Sequence, residues 1–190
     1  PKGDTLIEEG DLLYMMGTEE NLSELLAKEG KARIEMNKMI IVGGNDISTY
    51  VCDYFYKKGQ INRSTNNFWN RWAGSRVKKN ICIIDRDYNT CRELAARFPE
   101  ALILNEDISD ENVLEDEDLT DGDLIMAATN NQELNIVTAV YAKSLGIKKS
   151  LALVNKTSYI HIAASLGIDV PVSIIHSTLQ GILSFIRRKN

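Results

Sequence analysis

The chain of 190 residues is long enough for one domain with a full core, or for one domain and a fragment of another. With 44% hydrophobic and 26% charged residues it has globular rather than disordered composition, and a net charge of -5 argues against nucleic-acid binding through bulk electrostatics. No run approaches the roughly 20 apolar residues that span a bilayer, and no leader-peptide pattern is present. The cysteines Cys52, Cys82 and Cys91 form no CxxC pair, and two of them sit in apolar or helical runs. Reduced core thiols in a cytoplasmic protein are the expectation. The first residues already read as folded sequence, so a parent chain continuing N-terminally is expected.

Residues 1–30 read as a small α+β unit. A strand and a Gly-Asp turn are expected over Thr5–Asp11, a short strand over Leu12–Gly17, and a helix capped by Thr18 with Leu22, Leu25 and Leu26 on one face. Two strands and a helix bury little by themselves, so this piece belongs to another domain. Residues 31–38 are polar and read as a linker.

From Met39 the pattern becomes apolar strands alternating with amphipathic helices. Met39–Gly43 lacks polar alternation and reads as a buried parallel strand, followed by a helix over Asp46–Lys58. Ile81–Asp85 is the second strand, before a helix over Tyr88–Phe98. Ala101–Leu104 is the third strand, with a short helix over Asn112–Leu119. Leu124–Ala128 is the fourth, with a helix over Gln132–Leu145. Ser150–Val154 is the fifth, with a helix over Ser158–Leu166. Asp169–Val170 is a brief sixth strand, and a last helix runs from about His176 to Arg188. Repeated strand–helix units require right-handed crossovers. The predicted fold is a Rossmann-like, doubly wound parallel sheet with strand order 3-2-1-4-5-6.

In such sheets ligands bind beyond the carboxyl ends of the strands, where the order reverses. Four turns meet there. In the first, Gly43-Gly44-Asn45-Asp46-Ile47-Ser48, the phosphate-binding pattern G-x-G-x-x-G keeps its first glycine, while Asn45 and Ser48 replace the other two. Asn45 would crowd a pyrophosphate and Asp46 places a negative charge beside it. Two readings stand: an intact dinucleotide site, or a degenerate turn kept for folding. In the second turn, Asp85 sits where an acidic residue takes the ribose hydroxyls, though about 40 residues beyond the glycine turn rather than about 20; it also serves as an ordinary helix-capping position. The third and fourth turns, Asn105-Glu106-Asp107-Ile108-Ser109 and Thr129-Asn130-Asn131, are polar at the ends of apolar strands. They suit adenine or ribose contacts, and equally well helix caps.

No catalytic residues and no metal site are expected. His161 and His176 lack partners at ligand spacing, and no catalytic triad, nucleophile elbow or phosphate-binding lysine motif is found. An NAD(P)-dependent oxidoreductase is the alternative of a different class, but no substrate domain or proton donor accompanies the sheet. A nucleotide-sensing transcription regulator is a third option, without a helix-turn-helix unit to support it.

An ordered series of segments resembles the RCK, or KTN, regulatory domains of Trk-type potassium uptake systems. It comprises Ile40–Gly44, Asp85 with Cys91–Ala95, Asn105–Asp110, Ala128–Asn135, Ala142–Gly146, Ala152–Asn155, Tyr159 and Leu166–Asp169, with Gly3–Tyr14 resembling the end of that family's C-terminal lobe. The resemblance implies a preceding C-lobe tail at 1–30, a linker at 31–38, an N-lobe at 39–174 and a crossover helix at 175–190 that makes a dimer contact, the whole lying in the second repeat of its parent. It implies a cytoplasmic regulator beneath a membrane potassium transporter subunit, dimeric or in a larger ring, binding NAD(H) or ATP/ADP, with no catalysis and no nucleic acid. Carried over by position, Gly43, Gly44, Asn45, Asp46 and Ile47 would form the phosphate turn, Asp85 and Arg86 would face the ribose, Asp107 and Ile108 the adenine side, and Thr129 and Asn130 the cleft. Family members usually show glycine where Glu106 and Asn130 stand. A repeat that has lost its nucleotide and serves as a structural half of the ring is the other form the resemblance allows.

An insertion at 60–79 lengthens the first crossover. Residues 57–79 carry seven basic and no acidic residues, with Phe68, Trp69 and Trp72 among them. A docking surface for the transporter or an acidic membrane face is one reading; a helix extension or loop with the tryptophans packed on the domain edge is the other.

Overall fold

The structure, a computed structural model, describes residues 37–64, 80–110 and 112–173, with Leu6 and Glu8. The chain divides into two compact units, Pro1–Glu35 and Met36–Asn190. In the first, Leu6 is exposed and neither it nor Glu8 lies in a strand. The remainder of the expected tail, the linker up to Met36, the tryptophan-bearing part of the insertion and the last helix lie outside the described residues.

The second unit runs β1 (Lys38–Val42), α1 (Asp46–Ser64), β2 (Asn80–Ile84), α2 (Tyr88–Arg97), β3 (Leu102–Leu104), α3 (Val113–Asp116), β4 (Leu124–Ala127), α4 (Gln132–Ser144), β5 (Lys149–Leu153), α5 (Thr157–Ser165) and β6 (Val170–Val172). The strands form one six-stranded sheet in the order β3-β2-β1-β4-β5-β6. Every pairing is parallel, with Ile40 opposite Cys82 on one side and Ile125 on the other. This is the predicted topology, and its order reverses between β1 and β4.

Alternate residues of the apolar strands feed opposite faces. Met39, Ile41, Ile81 and Ile83 pack with Cys52 of α1, with Leu94 of α2 and with Phe98 at the end of α2. Ile40, Val42, Cys82 and Ile84 pack with Leu114, Leu119 and Ala142 on the other face. A third cluster joins Ile136 and Ala139 of α4 to Ala152, Val154 and Ala163. Ile40, Ile41, Ile83, Ile84 and Ile125 are fully buried, each stabilising the fold by roughly 1.5–3 kcal/mol. All three cysteines are free and buried; burial pushes the Cys52 thiol up to about 11 and Cys82 up to about 12, so both are inert protonated core groups.

Three boundaries differ from the sequence reading by more than one residue. Helix α1 continues to Ser64 instead of ending near Lys58. Gly59 does not stop it, because an interior glycine costs only about 1 kcal/mol and no proline intervenes. Helix α3 covers only Val113–Asp116 rather than Asn112–Leu119; Asn112 (φ 69°) and Asp118 (φ 51°) take the left-handed conformation at its two ends, which a helix cannot propagate through. Strand β6 runs to Val172 through Pro171, which a parallel edge strand tolerates.

Candidate functional site: the crevice at the carboxyl ends of the strands

The four predicted turns are brought together, and side chains stitch each to the next. Asn105 Nδ2 donates to Asp85 O at 3.0 Å, joining the ends of β3 and β2. The Gly44 N–H donates to Asp85 Oδ2 at 2.6 Å, joining β1 to β2. Asn45 Nδ2 donates to Ala128 O at 2.5 Å, joining β1 to β4. Asn135 Nδ2 donates to Leu153 O at 2.9 Å, joining β4 to β5.

At the first turn Gly43 has φ +105°, and its own N–H donates to Ile84 O at 2.9 Å. A Cβ at Gly43 would lie 3.0 Å from the backbone of Ala128 and Thr129, and one at Gly44 would lie 2.7 Å from Thr90 Cγ2 and 2.8 Å from Leu94 Cδ1. Both glycines are therefore required by packing within the chain. Asn45 is the N-cap of α1: its Oδ1 accepts from the N–H groups of Ile47 at 3.0 Å and Ser48 at 3.3 Å. The fully buried Ser48 turns its hydroxyl back to Gly43 O. Asp46 is exposed in the first turn of the helix, where the macrodipole favours its charge. Ile47 packs into the first core cluster.

At the second turn Asp85 is half-buried, and its other oxygen accepts from the Asp87 N–H at 2.8 Å. A carboxylate offers about four lone-pair positions, so Asp85 keeps acceptor capacity on its open side. Asp87 caps α2 by accepting from the Thr90 N–H at 2.7 Å, a bond that lowers its carboxyl pKa. Buried Cys91 donates to Asp85 O at 3.2 Å; burial first, then the Asp85 charge, raises its thiol pKa. Arg86 is exposed and stands 3.9 Å from Asp107 of the third turn. Asp107 is held below its ordinary pKa chiefly by the Ser109 hydroxyl, which donates to it at 2.6 Å. Ile108 turns away from these polar groups, packing on the second core cluster and lining a cavity of ≈ 420 Å³ with Val113, Leu134, Val137 and Tyr141. That cavity takes none of the other expected site residues.

At the fourth turn Thr129 is held through both its N–H and its hydroxyl, which donate to Asn135 Oδ1 at 2.9 and 2.6 Å. Asn130 is exposed. Asn131, not Asn130, caps α4 by accepting from the Leu134 N–H at 3.0 Å. Asn135 is the residue that reading the turns alone passes over. It is 1% exposed and makes four side-chain hydrogen bonds, two to its Oδ1 and two from its Nδ2. Its signal in the sequence is an amide set among the inward residues of α4, where a buried polar group must find partners.

These residues do not fit the pyrophosphate of a dinucleotide at the first turn. The helix N-terminus that would receive it is capped by Asn45, and the facing turns present Asp85, Asp87, Glu106, Asp107 and Asp110 against the single cation Arg86. They do keep a carboxylate, Asp85, where a ribose would be held. Among the described residues no group of three or more histidine, cysteine or carboxylate side chains could hold a metal ion. His161 is exposed on α5.

The TrkA-N domain family matches residues 72–174, more than half the chain, beginning beyond β1 and its glycine turn. The Trk system potassium uptake protein TrkA of Halomonas elongata is 24% identical over 188 residues, which is 99% of this chain and 37% of that protein. Its Haemophilus influenzae counterpart is 27% identical with the same coverage. The chain thus spans little more than a third of these relatives. Among solved structures, the NAD(P)-binding domain of an exopolyphosphatase-related protein from Archaeoglobus fulgidus matches with a TM-score of 0.60 and 13% identity, covering 81% of this chain and 99% of that one. The TrkA-N domain of the Escherichia coli inner membrane protein ybaL matches with a TM-score of 0.58 and 11% identity, covering 80% and 98%. At such identities the structural likenesses establish the fold. The sequence match establishes more: the chain belongs to the TrkA-N domain family.

Proposed function

We propose that the chain is a regulatory, gating-ring domain of a potassium uptake system, lying in the second repeat of a longer cytoplasmic protein and acting on a membrane transporter subunit. The observation that carries this reading is the match to Trk system potassium uptake proteins along 99% of the chain. The site agrees with it. The strand ends at which ligands bind in this fold are joined by interlocked turns, and the polar groups there hold the turns together rather than forming an acid–base or nucleophile pair. Among the described residues no helix is long and apolar enough to cross a membrane. Two arrangements of a ring, differing in free energy, would be biased by contacts between its domains. NAD(H) or ADP/ATP is the ligand class that a ligand-binding form of the domain would take. Of the two forms the domain could have, ligand-binding or structural, the capped first turn favours a structural half of the ring. The domain boundaries follow the same reading: a C-lobe tail at 1–30, an N-lobe at 39–174 and a dimerising helix at 175–190.

The test is potassium uptake by cells whose gene for the whole protein lacks the segment encoding residues 36–173. A changed rate of uptake, with loss of the transporter subunit from affinity-purified complexes, is expected. Unchanged uptake contradicts the reading, and turnover of NADH with small carbonyl compounds by the purified chain would replace it with an oxidoreductase.

A further inference from the structure

We infer that the Gly43–Ser48 turn is closed to a pyrophosphate because the Asn45 side chain already occupies the anion position of α1, so that a ligand's phosphates add nothing to its affinity here. This rests on reading the crevice as the nucleotide-type site of a regulatory domain. A helix N-terminus binds an anion through N–H groups that have no partner in the helix. In this turn Gly43 gives its N–H to Ile84 O and Gly44 to Asp85 Oδ2, while Ile47 and Ser48 give theirs to Asn45 Oδ1. Only the N–H groups of Asn45 and Asp46 remain without a partner among the described residues. The amide carbonyl of Asn45 therefore stands where a phosphate oxygen would have to stand.

Three further observations keep it there. First, Asn45 Nδ2 is bonded to Ala128 O at 2.5 Å, so swinging the side chain aside breaks its contacts to both α1 and the end of β4. Second, the β1 and β4 turns already touch, since a Cβ on Gly43 would meet the Ala128–Thr129 backbone at 3.0 Å. The gap cannot be widened at the turn without moving a strand end. Third, the field is wrong for a polyanion: Asp46 sits at the mouth of the helix, the facing turns add further carboxylates, and the guanidinium of Arg86 is directed to Asp107. The adenosine side is different, because Asp85 uses one oxygen for Gly44 and the other for Asp87 and still has lone pairs for ribose hydroxyls. The turn is self-liganded, and the strand-end geometry that a bound pyrophosphate would stabilise is held by an amide side chain.

Calorimetric titration of the 190-residue chain with adenosine, ADP and NAD+ tests this, on the natural sequence and on a variant carrying Asn45→Gly and Asp46→Asn, its fold verified by circular dichroism. For the natural chain the three ligands are expected to bind equally weakly, with no step between adenosine and ADP. The variant, with the cap and the charge removed, is expected to bind ADP and NAD+ at least tenfold more tightly than the natural chain does, while adenosine is unchanged. Binding of ADP or NAD+ to the natural chain tenfold tighter than adenosine overturns the inference even if the variant fails to fold. So does a folded variant that gains nothing. A failure of the potassium-uptake experiment leaves these outcomes untouched and sinks only the regulatory reading.

Discussion

At the amino ends of β1, β4 and β5 the chain sets carboxylates against ammonium groups. Asp123 accepts from Lys148 Nζ at 2.6 Å and from the N–H groups of Asn37 and Lys38 at 2.7 and 3.0 Å. Asp169 accepts from Lys149 at 2.8 Å, from Lys143 at 2.9 Å and from the Ser150 N–H at 3.0 Å. Lys38 reaches Asp121 and the Asp118 carbonyl. At the carboxyl ends of the same sheet the ties are made by the amides of Asn105, Asn45 and Asn135 and by Asp85 on a backbone N–H. The difference is one of sensitivity. Ion pairs weaken with salt and with protonation, whereas amide-to-backbone bonds respond to neither. At the end of the sheet that in this fold meets ligands, three of the four ties between strand ends are amide bonds, and the carboxylate of Asp85 makes the fourth.

The largest effect that could break this contrast is expected from Asn135→Leu. The substitution keeps the branched skeleton but replaces the amide by bulkier methyl groups, and leaves the Thr129 N–H and the carbonyls of Thr129 and Leu153 without their partner inside the domain. Chemical denaturation should record a loss of about 3 kcal/mol, the sum of several unmet buried polar groups offset in part by an apolar side chain. A loss no larger than that of a surface substitution would show that the carboxyl-end ties contribute little.

The amino end should reveal itself by acid titration. In Asp123 the hydrogen bond from Lys148 leads the effects that hold the carboxyl at about 2, below its ordinary 3.8. In Asp169 burial pushes the carboxyl up, but the bonds from Lys149, Lys143 and Ser150 outweigh it and also hold it at about 2. Each folded pKa is lower than the unfolded one, so the unfolded chain binds more protons between them. The stabilisation is present above the ordinary value and is lost as pH falls from near 3.8 towards 2. Melting followed across that interval should show the fall. Asp123→Asn with Asp169→Asn should flatten it, while Asn45→Ser should leave its slope unchanged. A slope altered by the crevice variant and not by the aspartate variants would reverse the assignment of the two ends.

The smallest effect is expected from Arg86→Ala. Its partner lies 3.9 Å away and the Arg86 side chain is 80% exposed. Such a pair contributes under about 0.5 kcal/mol, and the denaturation midpoint should barely move. A larger loss would mean that charge, and not amide bonding, holds the third turn to the second.

The strand order was legible because Ile40–Val42, Ile81–Ile84 and Leu124–Ala127 are unbroken apolar runs that only a sheet covered on both faces accommodates. The meeting of the four turns followed from that order. Less was legible at residue scale. Asn45 reads from the sequence as an obstacle to a pyrophosphate, but its bond to Ala128, far along the chain, and its capping of α1 are features of the folded turn. Asn135 could be marked as a polar residue on a buried stripe, yet its partner Leu153 lies on a neighbouring strand that periodicity does not identify. The early end of α3 escaped because, although Asn and Asp turn left-handed more readily than other non-glycine residues, nothing sets Asn112 and Asp118 apart from the other acidic and amide residues of that stretch. The long α1 was legible only as one reading of the insertion, a helix extension, because Gly59 invites a break that the helix does not make.

Amide hydrogen exchange in the first turn, with and without NADH, tests most directly that the crevice is held by the chain itself. Slow exchange is expected at Gly44, Ile47 and Ser48 in the free protein, fast exchange at Asn45 and Asp46, and no change at any of the five when NADH is added. Slowing at Asn45 and Asp46 on addition of NADH would place a phosphate on the helix and contradict this expectation.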